Sequence, residues 1–307
     1  MDRPEAQGVT MANPSDRAGN PTLSPRQLMV MRAVGHRGFI IGAFVTALYV
    51  FMAVAAPLIA PFDPLDQNLL AKLAPPVWQD GGSWQHPLGT DSVGRDYLSR
   101  LIFGARISIM IGFFAALVSA IVGTSIGLLG GYFGGRVDAV VMYIVNVKLA
   151  MPGLLVALAL VSAFGSSFVT LVIILSLLFW DRYAIVVRTL SQQFRNQDFV
   201  LAARAAGAST ARILFRELLP NLMNAVIVVL TLEMALAIVI EAALSFLGLG
   251  VRPPNPSWGL MISEGRQYMF FRPHLVIAPG VAILGLVIAI NVLGDGFRDI
   301  AAPEDRR

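Results

Sequence analysis

The stretch Asp198-Phe-Val-Leu-Ala-Ala-Arg-Ala-Ala-Gly-Ala-Ser209, continued by Ile213-Leu-Phe-Arg-Glu-Leu-Leu-Pro-Asn221, is a short Arg-bearing segment between two long apolar runs. Ala and Leu favour helix, Gly207 takes a left-handed turn at little cost, and Pro220 suits the opening turn of a following helix. The local reading is helix, glycine break, second short helix, then a new apolar run. A polar element placed in this way belongs in water at a membrane face.

Composition agrees with that placement. The chain has 307 residues, of which 56% are hydrophobic and 14% charged, and its mean hydropathy is +0.70. Soluble domains carry about 25% charged residues. An all-α, polytopic membrane protein is expected. Cysteine is absent, which excludes disulfides, thiol catalysis and thiolate metal ligands. His36, His86 and His274 stand singly, so no metal site is expected. Neither lysine, Lys72 or Lys148, follows a glycine, so the phosphate-binding Gly-Lys-Ser/Thr of an ATPase is missing. If ATP drives this protein, another chain hydrolyses it, and no cofactor is expected on this one. The isoelectric point near 9.8 suggests nucleic acid, but the basic residues are not gathered on a polar domain, and no nucleic-acid partner is expected.

Outward from the opening stretch, the sequence predicts six spans. Residues 1–37, rich in Pro, Ser, Asn and Gly, read as a disordered cytoplasmic tail. The apolar run 39–60 is too long for a signal peptide and long enough to span the bilayer. Residues 61–100 form a turn-rich loop outside it, so 38–106 comprise the first helix and an extracytoplasmic loop. A core of five helices follows over 107–297. Its first span, 107–129, carries Gly112, Ala116, Gly123, Gly127 and Gly131, a face of small residues suited to close helix packing. Residues 130–135 read as a tight turn, and a third helix reaching residue 163 is expected to kink at Pro152. A span over 168–187 leads into the polar segment 188–220, and spans over 222–247 and 275–293 complete the core. Residues 298–307 are a cytoplasmic tail. Most of the 23 Lys and Arg then fall on the side of the termini and of the polar segment, which the positive-inside rule makes cytoplasmic.

Charges within spans are costly and therefore informative. Glu233, near mid-span, is expected to face a cavity between two such chains or to bond a neighbouring helix. Lys148 is expected to snorkel to the inner headgroups, with lining a translocation path as the alternative. Asp181 lies within a span too, and Glu241, nearer the outer face, is expected to hold the Gly-rich loop after it. Asp91, Arg95 and Asp96 have no nucleophile or base beside them and read as salt-bridged loop structure.

Three stretches resemble one family. Ala202, Ala203, Gly207, Leu219 and Pro220 match the cytoplasmic coupling segment (Glu-Ala-Ala, three residues, Gly, then Leu-Pro) of binding-protein-dependent ABC-transporter permeases. Leu201 stands where that family has Glu. The run from His86 to Ser108, and that from Glu241 to Gly259, resemble the dipeptide/oligopeptide/nickel branch. The resemblance implies the permease fold of a type I ABC importer in a bacterial inner membrane, with Leu201, Ala202, Ala203, Arg204, Ala206, Gly207, Leu219 and Pro220 coupling it to ATPase subunits. It implies a second, similar permease chain as heterodimer partner and two ATP-binding subunits, which carry ATP and Mg. It also implies an extracytoplasmic substrate-binding protein, for which Pro253, Pro254 and Trp258 are the expected docking residues. Peptide is the expected cargo, with nickel or another small solute as alternative. A self-contained secondary transporter or channel using Glu233 and Lys148 is the competing class.

Overall fold

A computed structural model describes residues 31 and 33–301, and the expected tail over 1–37 lies mostly outside that range. Nine helices carry the labels used below. They are α1 (Arg37–Val54), α2 (Tyr97–Phe133), α3 (Gly135–Leu149), α4 (Gly153–Phe164) and α5 (Phe168–Phe194). The remainder are α6 (Asp198–Ala205), α7 (Leu219–Phe246), α8 (Trp258–Gly265) and α9 (His274–Ala301). Among the described residues five helical runs are long and apolar enough to cross a membrane, and α3 with α4 makes a sixth crossing if the bent pair is one span.

The axis of the bundle is α2 against α5. An added Cβ on Gly123 would lie 2.1 Å from the Trp180 carbonyl oxygen, on Gly127 2.6 Å from that of Ala184, and on Gly131 2.5 Å from Ser191 Cβ. Gly123, Gly127 and Gly131 of the expected small-residue face therefore make the contact with α5, where only a missing side chain lets the two backbones meet, whereas Gly112 packs against Ile238 of α7. Ser119 and Tyr183 hydroxyls donate across it, to the carbonyls of Ser176 and Ala116. α7 packs on both helices. α9 joins α7, and α1 lies outermost on α9, with few of its own residues buried. His36 joins the start of α1 to the end of α9: its Nδ1 accepts from the Phe39 amide, so its Nε2 carries the proton and donates to Asp299 at 3.0 Å.

Four boundaries differ from the sequence reading. α2 begins at Tyr97 rather than 107 because Asp96 caps it, its carboxylate accepting from the Ser99 amide. It also runs through Gly130 and Gly131, and the turn is confined to Gly134 and Gly135, with φ of 66° and 50°. The third span is broken rather than kinked. Pro152 is itself extended, with ψ 109°, ahead of the first turn of α4, and α3 and α4 meet at 82°. Finally, α5 continues to Phe194 and α9 to Ala301, so the start of the expected polar segment and the start of the expected tail are both helical.

Candidate functional site

At one end of the bundle, α6 stands out from the long helices. Its C-terminus is a complete Schellman turn: the Gly207 amide donates to the Arg204 carbonyl and the Ala208 amide to that of Ala203, both at 3.0 Å. Gly207 has φ 78°, as the sequence predicts. Ser209 then caps the next turn by accepting from the Arg212 amide. Val200 is fully buried against Ile213, Leu214 and Leu218, which fixes α6 to the bases of α2, α5 and α7. The opposite side of α6 faces outward, with Leu201, Ala202, Arg204, Ala206 and Gly207 exposed and Ala203 half-buried. Arg204 lies over the Tyr132 ring at 5.7 Å.

Leu219 and Pro220 are elsewhere. Leu219 packs into the cluster under α6, and Pro220 lies in the first turn of α7, behind a π-helical turn over Ile213–Leu218. Pro220 lacks an N–H and crowds the carbonyl four residues back, and the wider turn accommodates both defects. Thr210 to Phe246 is consequently one continuous membrane-length helix, rather than a short helix followed by a fresh start. The same end is clamped by α5. Arg188 pairs with Asp138 through Nη2 and Oδ2 at 2.6 Å, and Arg195 donates to the Gly131 carbonyl.

Midway along the bundle, four charged side chains meet beside the α3–α4 break. Lys148, in the last turn of α3, pairs with Asp181 and the Leu178 carbonyl of α5. Arg182 Nη1 lies 3.0 Å from Glu233 Oε1 of α7. Lys148 therefore does not snorkel: a buried carboxylate within reach holds it. Of the two expectations for Glu233, the structure shows the bond to a neighbouring helix, through Arg182 of α5. A cavity of roughly 230 Å³, open on one side, is lined by Lys148, Asp181 and Arg182, with Met151, Leu154, Phe179, Leu236 and Ile240 among the apolar walls. Asp181 is marked in the sequence only as a charge within a span, and nothing local marks Arg182. Only the fold sets them opposite Lys148 and Glu233.

At the far end, α8 is wedged between α2, α7 and α9. Trp258 is fully buried; its Nε1 donates to the Leu101 carbonyl at 2.8 Å, its amide donates to Ser108 Oγ, and its ring lies against Gly104. The expectation that Trp258 offers docking surface is corrected here, since three helices enclose it. Pro253 and Pro254 are exposed in the loop before α8. Glu241 holds that loop as expected, its Oε1 accepting from Ser245 and from Ser257, the residue that caps α8. Asp91, Arg95 and Asp96 are ion-paired as expected. Arg95 meets Asp91 at 2.6 Å, His86 meets Asp96, and the buried Arg100 joins them by reaching Glu264 of α8 at 2.7 Å. Among the described residues no group of side chains is disposed to hold a metal ion.

An exposed, rigidly capped helix between membrane-length helices, with charges turned inward to a cavity, is the anatomy of a transport subunit driven from outside its own chain. The chain belongs to the family of binding-protein-dependent transport system inner membrane components, whose model matches residues 123–306. Residues 24–76 match the N-terminal transmembrane domain of oligopeptide transport permease C. It is thus a multi-pass permease component of an inner membrane, and ATP hydrolysis belongs to a separate subunit. It is 40% identical over 290 residues to the di/tripeptide transport system permease protein DppC of Pseudomonas aeruginosa, covering 94% of this chain and 96% of that one. The dipeptide transport system permease protein DppC of Escherichia coli is 42% identical over 269 residues, 88% of this chain and 90% of that one. The glutathione transport system permease protein GsiD of Escherichia coli is 39% identical over 85% of each chain. Among solved structures, a chain of the MetNI methionine ABC transporter in an inward-facing conformation superposes with a TM-score of 0.51 at 16% identity, covering 66% of this chain and 96% of that one. That likeness is one of fold.

Proposed function

We propose that this chain is the permease of an ATP-driven importer of di- and tripeptides. It supplies half of the translocation path, paired with a second permease of the same kind. The observation that carries the reading is α6, an Ala-rich helix held from behind by Val200 and stopped by Gly207, with its free side facing outward. A helix fixed in that way transmits a push without bending, and its small residues allow a close seat in a groove of an ATP-binding subunit. Two such subunits carry ATP and Mg. The peptide cargo follows from relatives that align over nearly the whole chain.

The α6 end is taken as cytoplasmic, because Arg188, Arg195, Arg204, Arg212 and Arg216 gather there. Both termini then share that side, in agreement with the His36–Asp299 bond. The α8 end faces outward, and the exposed Pro253 and Pro254 are the surface offered to a substrate-binding protein. Lys148 and Glu233 lie along the path.

The test is uptake of radiolabelled dipeptide by proteoliposomes holding this chain, its partner permease and the ATP-binding subunits. Uptake is expected only with ATP on the α6 side and binding protein on the other. Solute flux through the chain alone points instead to a self-contained transporter or channel, and ATP-driven nickel uptake without peptide uptake to a different cargo.

A further inference from the structure

The mid-bundle cluster has a charge arrangement that packing does not require. Two cations and two anions stand together, Lys148 with Asp181 and Arg182 with Glu233, so the cluster as a whole is neutral. Within it the two pairs are unequal. Lys148 and Asp181 satisfy each other with help from the Leu178 carbonyl, whereas Glu233, only 1% exposed, has a second oxygen, Oε2, with no hydrogen-bond partner. Arg182 has the opposite surplus. Its side chain is 59% exposed, it lines the cavity, and a guanidinium has five N–H donors of which few are engaged here. A buried acceptor lacking a donor thus lies directly behind a cation with donors to spare, and it is that cation, Arg182, that lines the open cavity.

We propose that Arg182 and Glu233 recognise the two charged ends of a zwitterionic peptide during its passage, an inference that rests on the peptide-importer reading. Arg182 takes the carboxylate in its free fork, and Glu233 Oε2 receives a proton donor from the ammonium group. Charge is conserved at every stage. The empty site holds its own pairs, and the occupied site adds a ligand of equal and opposite charges, so no unpaired ion remains in the membrane interior. Lys148 and Asp181 keep the surroundings neutral, so that neither a lone anion nor a lone cation is favoured over a molecule bearing both.

Two experiments test this. In the first, the detergent-solubilised wild-type complex, without its binding protein, is dialysed against a radiolabelled dipeptide or the same dipeptide acetylated and amidated. At least tenfold tighter binding of the free dipeptide is expected, and equal binding overturns the proposal. In the second, peptide imported per ATP hydrolysed is measured in proteoliposomes for Arg182→Gln, Arg182→Lys and the double variant Arg182→Gln/Glu233→Gln. Arg182→Gln is expected to lower the ratio at least tenfold, and Arg182→Lys, which keeps the charge but not the two-pronged fork, to lower it less than Arg182→Gln does. If the pair were structural only, neutralising both partners would restore transport, since no charge would be left unpaired. The double variant is expected to remain as defective as the single, and its recovery overturns the inference alone. A wild-type complex that hydrolyses ATP without importing peptide overturns the importer reading and this inference with it.

Discussion

Gly207 shows how one backbone angle sets the direction of a surface element. Its φ of 78° closes the Schellman turn, and an added Cβ there would meet no atom within 4 Å. The penalty for replacing it is therefore conformational, with no clash to add. Gly207→Ala should cost about 1 kcal/mol, and Gly207→Val, with a β-branched side chain in the left-handed region, about 2 kcal/mol or more. Gly207→Asn should be nearly silent. Transport and ATP hydrolysis of the reconstituted complex check this: Val is expected to impair transport more than Ala, and a Val variant equal to wild type in both assays would remove α6 from the coupling role. Single residues divide sharply in how legible they are from sequence. The turn at Gly207 was readable because a local steric rule governs it. The pairing of Lys148 with Asp181 was not, since residues 33 positions apart meet only because α3 and α5 both pack on α2.

Among the elements, α8 and the α2–α5 contact make the clearest predictions. Trp258→Ala should empty a fully enclosed site and cost about 3–5 kcal/mol, which a thermal shift of the purified complex would register. Basal and binding-protein-stimulated ATPase should fall together, whereas loss of stimulation alone would restore Trp258 to a docking role. Trp258→Phe should keep the packing and lose the hydrogen bond to Leu101, for about 1 kcal/mol. Gly123→Val should separate α2 from α5, because the added Cβ would fall 2.1 Å from the Trp180 carbonyl oxygen. A drop in yield of folded protein is expected, and normal yield would show that the helices adjust. That contact was legible as a spacing of small residues. The break at Pro152 reads as a kink from the sequence because apolar residues continue on both sides of it with no polar turn between, although α4 is the more apolar helix, and only the local backbone restriction distinguishes a bend of 82° from a gentle one.

For the whole molecule, the arrangement of ends and loops defines a sidedness that labelling can read. The chain has no cysteine, so single cysteines at Ser83, in the loop before α2, and at Ser209, after α6, report without background. Both positions are exposed. In intact cells an impermeant thiol reagent is expected to modify Ser83→Cys and to spare Ser209→Cys, and the reverse pattern would invert the bundle. Hydropathy made five crossings legible, with the bent α3–α4 pair a sixth if it is one span. The reach of the helices beyond the bilayer was less so, because α2, α5 and α9 all continue past their apolar stretches as polar, capped or clamped ends. The π-helical turn over Ile213–Leu218 bears on the same geometry as a matter of phase. A π turn holds one residue more than an α turn, and each α-helical residue advances the azimuth by about 100°. The extra residue therefore acts as a fixed gear offset between α6 and the half of α7 that carries Glu233. Deleting the exposed Phe215 would close the turn to α-helical register and swing α6 about the α7 axis by roughly that angle, carrying its exposed side away from the direction in which it now faces.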